Sequence, residues 1–184
     1  MKHLLTCTGL LAAAATLFAQ TPAPKPPPAS PPATASATIG GKTITIAYSS
    51  PGVKGRAGHL FTKDGRISKD PTYPAWRAGA NAATTLHTDG TLRIGGLAVP
   101  AGDHTLYVDI ADPDKWILVV SKQTGQWGTV YDKSKDLGRV PMTMSVPPAL
   151  VENLKYTLTD NGGGTGSLTL AWENKSASVS VSAH

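Results

Sequence analysis

The sequence predicts an all-β protein: an antiparallel β-sandwich, with the jelly roll among its forms, and one long loop ahead of the second block of strands. Three observations carry this. Short runs alternate apolar and polar residues with a period of two. Clusters of Gly, Pro, Asp and Asn separate the runs. Beyond the first twenty residues no stretch repeats its apolar positions at helical spacing.

Before the first run lie two segments that belong to no core. Residues 1–19 are expected to be a secretory signal peptide. Lys2 charges its start, Leu4 to Phe18 is apolar and uncharged, and Ala19 supplies a small residue for cleavage. The apolar run is shorter than the roughly 20 residues that cross a bilayer, so the mature chain is expected to have no membrane span. The destination is then the periplasm or the medium. Cleavage would also remove Cys7, the single cysteine of the 184 residues. Thiol chemistry and disulfides are thereby excluded from the mature domain. Residues 20–35 are Pro-rich and carry almost no apolar side chains, which predicts an extended linker. The remainder, 36–183, is long enough to bury one core without a staple and is expected to be one domain.

The strand pattern starts at Ile39. In the run KTITIAY, Ile44, Ile46 and Tyr48 share one face. The same spacing recurs in Leu106, Val108, Ile110 and in Trp116, Leu118, Val120. It returns in Val140, Met142, Met144, Val146, then in Leu154, Tyr156, Leu158. Leu168, Leu170, Trp172 and the pair Val179, Val181 complete the series. Asp89-Gly90 between TTLHT and TLRIG predicts a two-residue hairpin. Asp112-Pro113-Asp114 and the DNGGGTG of 160–166 predict further turns. The long irregular segment runs from Ser49 to Ala80 and is dense in polar groups, which makes it the first place to seek a site.

The net charge of +5 and pI near 9.4 come from Lys and Arg scattered among Asp residues, as in Lys63-Asp64-Gly65-Arg66. A nucleic-acid partner needs a basic stripe, so none is expected. Metalloprotease, hydrolase-elbow, P-loop and CxxC signatures are all missing from the sequence. Beyond the leader there are four histidines, His59, His87, His104 and His184, and their spacing compels no metal site; neither metal nor cofactor is expected. Ser49 and Ser50 precede Pro51-Gly52, and a plain turn accounts for them.

Arg56, Arg77 and Arg139 offer rigid forks for carboxylate, phosphate or sugar oxygens. Trp76 and Trp127 add flat aromatic faces, Asn81 an amide and His59 an imidazole. The favoured reading is a non-catalytic binding module for a glycan, an envelope component or a small anionic ligand, using these seven residues. Two alternatives stay open. One is a hydrolase-like enzyme built on His59 or His104 with Asp residues. The other is a structural protein whose arginines only tie loops together.

The succession SPGVKGR (50–56), WRAGANAATT (76–85), IGGLAVPAGDHTLYV (94–108), QWG (126–128), YDKSKDLGRV (131–140) and LTLAWEN (168–174) resembles the bacterial domain-of-unknown-function 2911 family. The resemblance covers about Ser36 to Val181 and implies an exported protein with no established reaction. It also implies a departure: members commonly carry an acidic residue after GAN, where this chain has Ala82. The departure argues against a mechanism that needs a carboxylate there.

Overall fold

The computed structural model describes residues 28–183. The expected signal peptide, the first part of the expected linker and His184 lie outside the described residues.

Two antiparallel sheets form a sandwich that does not close into a barrel. The first contains β1 (Pro32–Ile39), β2 (Lys42–Ser49), β3 (Ala75–Trp76), β4 (Thr84–Thr88), β7 (Gly102–Asp109), β8 (Ile117–Ser121) and β9 (Asp136–Pro141). Its order is β1-β2-β4-β7-β8-β9, with β3 also paired to β7. The second contains β5 (Leu92–Ile94), β6 (Leu97–Val99), β10 (Thr143–Ser145), β11 (Val151–Gly162), β12 (Thr165–Glu173) and β13 (Lys175–Ser182). Its order is β11-β12-β13-β5-β6, with β10 also on β13. One 3-10 turn, Lys133–Lys135, precedes β9.

The period-two runs supply the core as the pleat requires. Ile44, Ile46, Leu86, Leu106, Val108, Leu118 and Val120 are buried on the first sheet. Leu154, Tyr156, Leu168, Leu170, Trp172, Val179 and Val181 are buried on the second. Each such aliphatic side chain contributes about 1.5–3 kcal/mol of transfer free energy, set against the entropy of ordering it.

Three sequence expectations are corrected. The linker does not reach residue 35, because β1 starts at Pro32 and pairs in register with β2, Pro32 opposite Ser49 and Ile39 opposite Lys42. Pro32 is tolerated there because it opens an edge strand, where a missing N–H breaks no ladder. Asp89-Gly90 is not a hairpin. β4 is already paired on both edges, to β2 and β7, so the strand after the turn has no edge to join. Asp89 instead grips Thr43 of β2, donating its backbone N–H to the Thr43 carbonyl and accepting from the Thr43 N–H at 2.9 Å. The chain then crosses to the second sheet. The run from Val140 to Val146 also divides. Val140 pairs with Leu118 in the first sheet and Met144 with Ala177 in the second. Val146 is exposed.

At one edge of the sandwich Leu97 of β6 packs onto Gly138 of β9, where a Cβ would collide with the leucine methyls. Gly138→Val is therefore expected to lower stability by about 1–3 kcal/mol through overpacking. Leu97→Ala should recover part of that loss in the double variant. Urea-unfolding midpoints of the three variants check this. An unchanged midpoint in Gly138→Val contradicts the packing described.

Candidate functional site

The Ser49–Ala80 segment is long but not loose. Val53, Leu60, Ile67 and Trp76 plug into the sandwich and are buried. Successive hydrogen-bonded turns link these plugs, among them Arg56 N to Val53 O at 3.1 Å and Ile67 N to Leu60 O at 3.1 Å. Gly65 sits where a Cβ would meet the carbonyls of His59 and Leu60, so the turn closes only on glycine. Two acids of the second sheet hold the segment from behind. Glu152 accepts from the Lys54 N–H at 2.8 Å and Glu173 from the Gly58 N–H at 2.5 Å.

Between this segment and the sheets opens a cleft of about 530 Å³. Its charged lining is Lys54, Arg56, Arg66, Arg77 and Asp70. Trp76 and Trp172 reach it from the core, with ring centroids 5.9 Å apart and planes 15° from parallel. Phe61 and Trp116 complete this aromatic cluster. The indole Nε1 of Trp172 is buried without a hydrogen-bond partner among the described residues. Ala29 and Ser30, just before β1, form one wall. The Lys54 ammonium donates to Ala29 O at 2.8 Å, and Ser50 N donates to Pro31 O at 2.8 Å.

The arginines of the cleft differ in how they are engaged. Arg56 staples its own loop, donating Nε to Val53 O at 2.9 Å and Nη2 to Gly52 O at 2.7 Å. Arg77 donates to Asp70 Oδ2 from Nη2 at 2.7 Å and from Nε at 3.2 Å, and the two side chains are only 15 % and 9 % exposed. Burial pushes the Asp70 carboxyl up. The hydrogen bonds from Arg77 and from the backbone and hydroxyl of Thr72 more than offset it, and hold the group below its ordinary value of 3.8. Arg66 is exposed and has no side-chain partner among the described residues.

Asn81 closes the rim in the left-handed conformation, φ 60°. Its amide donates to Ser49 Oγ at 3.3 Å, and its carbonyl accepts from Gly128 N at 3.0 Å and Arg77 Nη1 at 3.4 Å. Among the described residues four non-glycine positions have such a φ: Lys54, Ala78, Asn81 and Glu173. Lys54 and Asn81 line the cleft, and Ala78 and Glu173 each adjoin a lining residue. Each costs on the order of 1–3 kcal/mol, and the strain gathers at the cleft.

Four of the seven residues singled out in the sequence thus converge: Arg56, Trp76, Arg77 and Asn81. Three do not line the cleft. His59 is exposed and joins the turns only through its backbone. Trp127 is 55 % exposed, on a turn just outside the rim. Arg139 lies on β9 within a closed network, donating to Asp136 at 2.9 Å, Asp109 at 2.8 Å and Tyr131 Oη at 2.6 Å. Burial and the hydrogen bond to Asp136 push the Tyr131 phenol up to about 12.

Lys54, Arg66, Asp70 and Trp172 complete the cleft without having been selected as site residues. Lys54, Arg66 and Asp70 lie in the polar-dense Ser49–Ala80 segment that the sequence marks as the first place to seek a site, whereas Trp172 lies far outside it.

A hydrolytic set does not assemble among the described residues. His104 is buried with Nε2 against Pro100 O at 2.9 Å and Nδ1 unpartnered. His87 meets Asp103 at 2.6 Å on the open surface. Ser50 donates its hydroxyl to Leu154 O at 2.7 Å. No three His, Cys, Asp or Glu side chains come together among the described residues.

Arg77→Ala should cost about 3 kcal/mol, the lower end for a buried pair, because the Asp70 carboxylate is left unpartnered. The acid limb follows from the sign of the Asp70 shift. A depressed folded-state pKa means stability that is fully present above 3.8 and lost as the pH falls below that value through the folded-state pKa. Asp70→Asn should flatten this part of a stability-versus-pH curve measured by urea unfolding. A wild-type curve retained in Asp70→Asn contradicts the pair's role.

No curated protein and no solved structure matches the chain. A family model described as "Protein of unknown function (DUF2911)" matches residues 30–181. That span runs from Ser30 in the cleft wall almost to the end of β13 and includes every cleft-lining residue but Ala29. By this match the chain belongs to the domain-of-unknown-function 2911 family.

Proposed function

We propose that the protein is exported and acts as a non-catalytic binding module whose cleft takes a small anionic ligand, a carboxylate or phosphate, met outside the cytoplasm. The observation that carries this reading is the charge balance of the cleft. Lys54, Arg56, Arg66 and Arg77 surround one carboxylate, Asp70, which Arg77 already neutralises. Like charges held together in a concavity repel one another until an anion enters. Arg56 and Arg77 are fixed by internal bonds and so supply a preorganised positive wall, while Arg66 stays free to close on a ligand.

Arg66→Ser separates binding from folding. The side chain is exposed, so stability should change by no more than about 0.5 kcal/mol. Affinity for the best of a panel of citrate, glucuronate and pyrophosphate should fall about 10- to 100-fold, since a charge-assisted contact is worth about 1.5–3 kcal/mol. Urea unfolding reads the stability, and calorimetric titration at two salt concentrations reads the affinity, with weaker binding at higher salt. Wild type that binds none of the panel overturns the reading.

Export is tested by N-terminal sequencing of the protein recovered outside the cytoplasm. The sequence should begin at Gln20, and a chain beginning at Met1 overturns the proposal.

A further inference from the structure

We infer that the ligand is an acidic saccharide, its carboxylate or phosphate held in the cationic cleft and an adjoining sugar ring laid on the indole of Trp127. The inference rests on the anion-binding reading of the cleft and extends it to a ligand class.

Trp127 differs from the other three tryptophans. Trp76, Trp116 and Trp172 are 1–2 % exposed and pack in one cluster, whereas Trp127 is 55 % exposed. The core therefore does not account for it. Its backbone is nevertheless pinned. Trp127 bridges to Ala82, Ala83 N donates to Gln126 O at 3.3 Å, and Val130 N donates to Trp127 O at 2.9 Å. The Gln126 amide is itself held by Thr105 Oγ1 and Tyr107 Oη, each at 3.1 Å. An apolar side chain left in water on a fixed backbone loses little entropy when a partner covers it.

The same turn is built onto the cleft. Gly128, the next residue, donates to the carbonyl of Asn81, whose side chain stands at the cleft rim. A Cβ at Gly128 would strike the Arg77 stem and the Asn81 carbonyl, so the turn rests directly on the cationic wall. A ligand extending from the cleft past Asn81 would run toward this turn.

The chemistry along this path selects a sugar. A pyranose ring presents C–H groups to an aromatic face and hydroxyls at its edge. Ser30 and Asn81 both line the cleft and bring a hydroxyl and an amide to it, the amide also donating to Ser49 Oγ at 3.3 Å. A fatty acyl chain on the same path would desolvate those groups without pairing them, at about 1–3 kcal/mol each.

The test titrates the chain starting at Gln20 with five probes by calorimetry: citrate, free glucuronate, glucuronate β-linked to N-acetylglucosamine, glucose 6-phosphate, and the neutral N-acetylglucosamine dimer. Wild type should bind the acidic disaccharide about tenfold more tightly than glucuronate. Trp127→Ala should erase that advantage and leave free glucuronate unchanged. Arg66→Ser should weaken both. Binding of glucose 6-phosphate in preference to glucuronate supports the inference with phosphate as the head group.

An advantage that survives Trp127→Ala overturns the inference. So does a neutral dimer that binds as tightly as the acidic one. Citrate binding without any saccharide binding overturns the inference and leaves the anion reading standing. Wild type that binds no anion overturns both.

Discussion

The stack of Trp76 on Trp172 is the contact on which loop, cleft and both sheets depend. Trp76 belongs to the first sheet through β3, which pairs with β7. Trp172 belongs to the second through β12. Their rings meet at 5.9 Å and fix where the Ser49–Ala80 segment returns to the sandwich. Arg77 follows Trp76 directly, so the same contact sets where its guanidinium meets Asp70. The two indoles serve core and cleft at once, because one aromatic cluster lies beneath both.

What the sequence disclosed and what it hid divide along one line, the range of the interactions involved. Alternation along a strand is local, and Leu106, Val108, Leu118 and Val120 could be read as core from spacing alone. The block containing Trp76, Arg77 and Asn81 could be singled out as a site because its functional groups lie within a few residues of one another. The strand β1 was hidden because Ala, Ser and Thr of small volume follow prolines, a composition shared with linkers. Its identity depends on β2, which offers the ladder it joins. Asp89-Gly90 misled because a turn's geometry does not say whether the preceding strand still has a free edge. The meeting of Lys54, Arg66 and Trp172 is set by chain folding over more than one hundred residues and has no signature in spacing.

The cationic groups illustrate how one residue type serves opposite ends. Arg139 uses Nε and both terminal nitrogens on Asp136, Asp109 and Tyr131, and its network is complete. Arg56 and Arg77 are partly committed, each bound to the fold while facing the cleft. Arg66 is committed to nothing among the described residues. The engagement of the arginines thus grades from complete to none within one residue type. The backbone strain at Lys54 and Asn81 fits the same picture, since both lie where the fold must hold a shape it would not choose locally.

The wall formed by Ala29 and Ser30 ties the cleft to the start of the sandwich. The chain enters the sandwich by passing along the cleft, then becomes the edge strand β1. Any version of the domain trimmed to begin at Ser36 would lose half of that strand together with the wall. The edge of β2 thereby uncovered, with its row of unpaired N–H and C=O groups, would be a template for strands of neighbouring molecules. The stretch that walls the cleft at Ala29 and Ser30 thus runs straight into the strand that covers the edge of β2.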